Sequence, residues 1–376
     1  LPIISLLRAA FAILSLLILA AAGYLLWNWY DGEWLRDADG VLRRHRDDWQ
    51  LWVGGALLAW SFLGRFGIRL ILARKDTDPM QPARSSGRAI SSETGATLYL
   101  EEHGSALAPP IILTHGWSMD STLWFYAKRA LADRYRVIVW DLPGLGRSTR
   151  GGRKICLSDF ARDLKAIAGQ VGDQRPILVG HSIGGMIIET LARDDPDWFR
   201  NKVAGVALFN TTYTNPLKTM VLSGFLQALR KPLIVPMLTL EIWLAPLMRL
   251  ISWQSYLSGS THMSARFGFG RYVTRSQLDH VALLMTRANP AVSARGDLAM
   301  LRWDGSAGVA RMHAPAIVLG GSVDIVTKAE ASVTIAEQAP QADLEIVEGA
   351  NHMGPVERAD IYNAGIGRLA QRVHGG

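Results

Sequence analysis

From Ala9 to Tyr30 the chain runs for 22 residues without a charge, dense in Leu, Ile and Ala. As a helix rising ~1.5 Å per residue it is about 33 Å long, against a hydrocarbon thickness of about 30 Å. Tyr24, Trp27, Trp29 and Tyr30 gather at its far end, where amphipathic rings favour the headgroup level. A cleaved signal peptide, with Arg8 as its basic region and Ala20–Ala22 as its cleavage site, is the competing reading. The apolar run continues past that site, which favours an anchor. A second stretch is uncharged from Trp49 to Gly64 and extends to Leu72 if Arg65 and Arg69, one helical turn apart, reach out to headgroups. Residues 1–75 are thus expected to form a transmembrane helical hairpin around a charged loop, Asp31–Asp48. The alternative is that 49–72 lies along the membrane surface. Six of the thirteen tryptophans fall in the first sixty residues, which favours membrane contact.

The formal charge of +7 invites a nucleic-acid reading until it is located. Residues 1–75 are net +3, residues 213–278 are net +6 with Glu241 as their only acid, and the remainder is net −2. The excess therefore sits on two strongly apolar stretches. That pattern suits anionic lipid surfaces and not nucleic acid. Arg65, Arg69, Arg74, Lys75, Arg84 and Arg88 crowd one side of the expected hairpin, and the positive-inside rule leans that side, with the body, towards the cytoplasm. The single cysteine, Cys156, excludes an intramolecular disulfide.

After a polar linker (Asp76–Ser86), short β-rich runs alternate with helix-period segments: Thr97–Glu101, Ile111–Thr114, Val137–Trp140, Ile177–Val179, Val203–Phe209, Ala316–Leu319 and Leu344–Val347. Alternation of this kind predicts an α/β fold, with a mostly parallel central sheet and helices on both faces. Chemistry in such sheets collects at the carboxyl ends of the strands. Gly180-His181-Ser182-Ile183-Gly184-Gly185 follows one strand and opens a helix. A serine hydroxyl needs exposure, a base and nearby oxyanion donors to act as a nucleophile, and a tight strand-to-helix turn supplies the exposure. His115-Gly116-Trp117 closes an earlier strand, making the Trp117 and Ile183 amides candidate oxyanion donors. Two late strands end in Gly321-Ser322-Val323-Asp324 and Gly349-Ala350-Asn351-His352. The order Ser182, Asp324, His352 fits a nucleophile, an orienting acid and a base. Asp141, in a loop rich in Pro and Gly, reads as structural, as do His262 and His280.

Taken together, GHSIGG, HGW, DLPGLGRS, the GGSVD strand end and GANH resemble the α/β-hydrolase fold superfamily over about residues 88–212 and 297–376. The resemblance implies a serine esterase, lipase or thioesterase chemistry. Serine at 182 departs from the epoxide-hydrolase and dehalogenase branches, which carry Asp there. HGW is also similar to the cofactor-free perhydrolase group.

The body is expected in two parts, 76–212 and 306–376, separated by a helical cap over 213–305. Pro232, Pro236 and Pro246 break the cap's apolar first half into short pieces. Met220, Phe225, Leu229, Trp243 and Leu247, with Leu244 and Met248 nearby, are candidates to line an acyl tunnel, or else to pack on the core. No metal or nucleotide motif is present, so no cofactor is expected. The expected function is a membrane-anchored hydrolase of lipid-like carboxylic esters that partners the membrane and no nucleic acid, with homo-oligomers open. The rivals are an acyltransferase or perhydrolase on the same residues, and a non-catalytic ligand-binding protein.

Overall fold

The computed structural model describes residues 2–152 and 154–375. Helices α1 (Pro2–Asp31) and α2 (Asp48–Leu72) lie side by side, with Leu25 and Leu26 of α1 against Gly54 of α2. Both are long and apolar enough to cross a membrane. Between them, where a charged loop was expected, an exposed antiparallel ribbon forms from β1 (Glu33–Arg36) and β2 (Leu42–His45). The distal halves of the helices leave Leu17, Tyr24, Trp27, Trp49 and Trp52 exposed.

An eight-stranded sheet forms the body, in the order β10-β9-β8-β7-β5-β6-β4-β3. Its strands are β3 (Arg88–Ser91), β4 (Thr97–His103), β5 (Pro110–Thr114), β6 (Arg136–Trp140), β7 (Ile177–His181), β8 (Gly205–Phe209), β9 (Ala316–Gly321) and β10 (Ala342–Val347). The six strands from β10 to β6 pair in parallel, while β4 is antiparallel to both β6 and β3. Strand β3 was not anticipated, because a short, mostly exposed edge strand lacks the apolar run that marks a central one.

Side chains alternate across the sheet into two cores. Ile112, Ile138 and Leu178 face helices α4 (Leu157–Ala168) and α5 (Ile183–Asp194). Ile111, Val137, Ile177 and Val179 face α3 (Phe125–Leu131) and the final helix, Ala359–His374.

Between β8 and β9 lies a set of helices: α6 (Ser223–Leu229), α7 (Val235–Trp243), α8 (Ala245–Ser258), α9 (Ser260–Arg266), α10 (Arg275–Arg287) and α11 (Pro290–Met300). The α6–α7 segment and α8 meet at 97°, at a break where Pro246 cannot donate a helical hydrogen bond. The proximal half of the hairpin packs on these helices. Ser15 Oγ lies 2.7 Å from both Gln254 Oε1 and Ser258 Oγ, and the Phe11 and Phe267 rings are 6.2 Å apart. Arg65 and Arg69 do not reach out to headgroups as the sequence suggested. Arg69 pairs with Asp279 at 2.8 Å and Arg65 stacks over Tyr256 at 5.0 Å, because partners on the cap are available at that height.

Two predictions follow from this packing. A Cβ on Gly64 would run into the Ser258 carbonyl, so Gly64→Leu should wedge α2 off the cap and cost about 1–3 kcal/mol. Thermal unfolding of the detergent-solubilised protein reads this, and an unchanged midpoint would contradict the docking. Glu189, buried on α5, has no hydrogen-bond partner for either carboxyl oxygen among the described residues. Burial, with a smaller push from Asp304, holds its pKa well above the ordinary carboxylate value. The folded chain therefore keeps a proton that the unfolded chain releases above about pH 4.3. Stability from this group falls as pH rises from there, so Glu189→Gln should flatten the loss between pH 5 and 8. Parallel pH curves for wild type and variant would refute this.

Candidate active site

Ser182 sits between β7 and α5 at φ 55°, ψ −120°, a conformation rare for a residue with a side chain. The turn is held from three sides: the Ser182 N–H donates to Phe209 O at 2.9 Å, and its carbonyl accepts from Gly185 N–H at 2.9 Å and Thr211 Oγ1 at 2.7 Å. The bend also requires Gly180, whose missing Cβ would collide with the backbone of Gly184 and Gly185.

The loops after β9 and β10 bring the other two residues to it. His352 Nε2 is 3.0 Å from Ser182 Oγ, and His352 Nδ1 is 3.0 Å from Asp324 Oδ2. All three side chains are buried. Asp324 is itself clamped: Oδ1 accepts from the Val326 and Thr327 N–H groups at 2.7 and 2.9 Å, and Oδ2 from Asn210 Nδ2 at 2.9 Å and Thr327 Oγ1 at 2.8 Å. Burial would raise its pKa, but His352, Asn210 and the Thr327 N–H outweigh that and hold the carboxyl below its usual value. Chemically, this line can carry a proton from Ser182 to His352 while Asp324 stabilises the resulting cation.

Trp117 lies on the cavity beside Ser182, its indole N–H fixed on the Ser293 carbonyl at 2.9 Å. Ile183 is the first residue of α5, so its N–H is among those that have no partner within the helix. His115 closes the loop before Trp117: Nδ1–H donates to Gly116 O at 2.8 Å and Nε2 accepts from Leu142 N–H at 3.0 Å. Asp141 takes the structural place expected of it. It accepts from Ser121 N–H and Arg147 N–H, each at 2.8 Å, and pairs with Arg84 at 3.0 Å. His262 bonds Asp279 at 2.8 Å and His280 bonds Thr122 at 3.0 Å, so each has a local partner.

Sequence reasoning missed three contributors. Asn210, at φ 46°, steers Asp324 and is fixed by the Tyr362 hydroxyl at 2.5 Å. His181 donates Nε2–H to the His352 carbonyl at 2.8 Å, tying the backbone of His352 to the strand that leads into Ser182. Burial first, then the neighbouring His352, lowers its pKa to about 3, so it stays neutral. The third contributor is α1: Ile4, Ser5, Arg8, Ala9 and Ala12 line the cavity of about 230 Å³ that contains Ser182 and His352. Arg8, the one charge before the apolar run, was the available signal.

None of the five expected tunnel residues lines that cavity. Met220 and Leu229 belong to a separate apolar cluster around Ile234 and Leu238. Phe225, Trp243 and Leu247 are 61%, 78% and 50% exposed. The bend between α7 and α8 sets the helical phase, so that Met237, Leu240, Leu244, Met248 and Ile251 face inward. Of the residues considered nearby, Leu244 and Met248 are on this stripe.

A model of the α/β-hydrolase fold matches residues 109–359. The chain belongs to the α/β-hydrolase fold family. It is 25% identical over 276 residues to the dihydrolipoyllysine-residue acetyltransferase component of the acetoin cleaving system of Pseudomonas putida, a match covering 72% of this chain and 65% of that one. It is 34% identical over 137 residues to a pimeloyl-(acyl-carrier protein) methyl ester esterase of Pectobacterium carotovorum, covering 36% and 51%. The chain thus spans half to two-thirds of these relatives' lengths. Among solved structures, an esterase of Thermogutta terrifontis superposes with a TM-score of 0.61 at 22% identity, covering 77% of this chain and 100% of that one. A membrane phospholipase A described as a bacterial virulence factor gives 0.60 at 19%, covering 83% and 90%. At these identities the structural likenesses show the fold alone.

Proposed function

We propose that this α/β-hydrolase is a membrane-anchored serine esterase acting on lipid-like carboxylic esters. The observation that carries the reading is that Ser182 opens into a largely apolar cavity walled jointly by α1 and by α7–α8. Ser182 Oγ attacks the ester carbonyl as His352 takes its proton, and Asp324 steadies the imidazolium. The Trp117 and Ile183 amides receive the oxyanion. His352 then protonates the leaving alcohol, and water, activated by the same histidine, releases the acid and restores Ser182.

The lipid part of the reading rests on surface as well as cavity. Phe225, Trp243, Leu247, Leu250 and Trp253 are exposed on α6–α8, beside the exposed apolar residues of the hairpin. Arg230, Lys231 and Arg249 are interspersed among them in the sequence. An apolar face with a basic fringe suits the interface of an anionic membrane. With two crossings, the arginines and lysine from Arg65 to Arg88 favour a cytoplasmic body. A substrate dissolved in the bilayer then reaches Ser182 without crossing water, and each acyl CH₂ buried contributes ~0.8 kcal/mol.

The test is ester hydrolysis by the detergent-purified protein across acyl chain lengths, beside Ser182→Ala. kcat/KM should rise with chain length, and Ser182→Ala should lose on the order of 10⁴-fold or more. A Ser182-dependent preference for short acyl groups would remove the lipid assignment. Equal rates for wild type and variant would remove the esterase.

A further inference from the structure

The wall that α1 adds to the cavity is not purely apolar. Arg8 projects into it and donates Nη2–H to Ser252 Oγ on α8 at 2.7 Å. Glu241 on α7 lines the same cavity, and each charge feels the other. Neither makes an ion pair with a described residue. An unpaired ion in apolar surroundings is costly and is normally neutralised by close contact. Here Arg8 and Glu241 face one space without closing on each other, and Asp297, whose Oδ2 accepts from Ser5 Oγ at 3.1 Å, lines it too and acts on both. Glu241 is also the only acid between residues 213 and 278, in a stretch otherwise basic and apolar. Its one carboxylate faces the cavity and not the lipid-facing surface.

Arg8 directly precedes the uncharged run of α1 and lines the cavity that contains Ser182, so it meets the polar end of a substrate inside that cavity. A planar guanidinium binds phosphate oxygens well, and a carboxylate complements an ammonium. We propose that Arg8 and Glu241 form a headgroup subsite for a zwitterionic phospholipid or lysophospholipid, Arg8 taking the phosphodiester and Glu241 the ammonium, with the scissile ester at Ser182. This rests on the esterase reading above and adds to it the polar end of the substrate. It makes the membrane helix part of the substrate site as well as an anchor.

The full chain in detergent micelles is assayed on three esters: a lysophosphatidylethanolamine, a monoacylglycerol with the same acyl chain, and 4-nitrophenyl butyrate. Arg8→Gln and Glu241→Gln are compared with wild type. Each variant should lower the ratio of kcat/KM for the phospholipid to that for the monoacylglycerol by about tenfold or more, the effect of one charge-assisted hydrogen bond. A purely structural role would lower both rates together and leave the ratio unchanged, which overturns the proposal. So would a wild type that hydrolyses the monoacylglycerol and not the phospholipid. Absence of Ser182-dependent turnover even of the butyrate ester would point instead to failure of the esterase reading beneath it.

Discussion

The turn that holds Ser182 at a positive φ is the constraint on which the site depends. A strand entering and a helix leaving at that angle put the hydroxyl above the carboxyl edge of the sheet, with the amide of Ile183 beside it. Such a conformation persists only where its surroundings over-determine it. Here they do so through the Phe209 carbonyl, Thr211, and the contact between Gly180 and the start of α5. β8 contributes twice, because Asn210, the residue after it, also aims Asp324. The Ser182 turn and the orientation of Asp324 are therefore coupled through one strand end.

A second dependence runs outward. The cap is bent by 97° between α7 and α8, and its inner side is completed by α1. Ser15, Phe11, Arg65 and Arg69 fasten the hairpin to the cap through hydrogen bonds, ring contacts and an ion pair of different kinds. Hairpin and cap form one packed unit, so the cavity's shape follows the seating of α1. A change in how the helix sits in its surroundings would change the room above Ser182.

How much of this was legible in the sequence depends on the range of the signal. Ser182, Asp324 and His352 each sit in a short loop directly after an apolar strand, and a local pattern suffices to find them. The sheet was readable for the same reason, except β3, whose residues are mostly exposed. Ribbon β1–β2 was hidden because charged side chains mask any alternation of apolar and polar positions. The cap failed in a different way. Trp243 and Leu247 are each one position from residues that do line the cavity, Leu244 and Met248, because the bend fixes which side of each helix faces inward. An apolar helix has no phase of its own, so beyond Arg8 nothing local in α1 announced that Ala9 and Ala12 line the cavity of Ser182.

The nucleophilic role proposed for Ser182 and the part α1 plays in walling its cavity can be tested together. The most direct test is a long-chain alkyl fluorophosphonate carrying a photoreactive diazirine on its tail, applied to the full chain in vesicles and mapped by mass spectrometry. A phosphonyl adduct on Ser182 is expected and, after irradiation, crosslinks to residues between Ile4 and Ala12 of α1 and to α7–α8. An adduct on Ser182 with crosslinks confined to the body, or no adduct on Ser182, would contradict it.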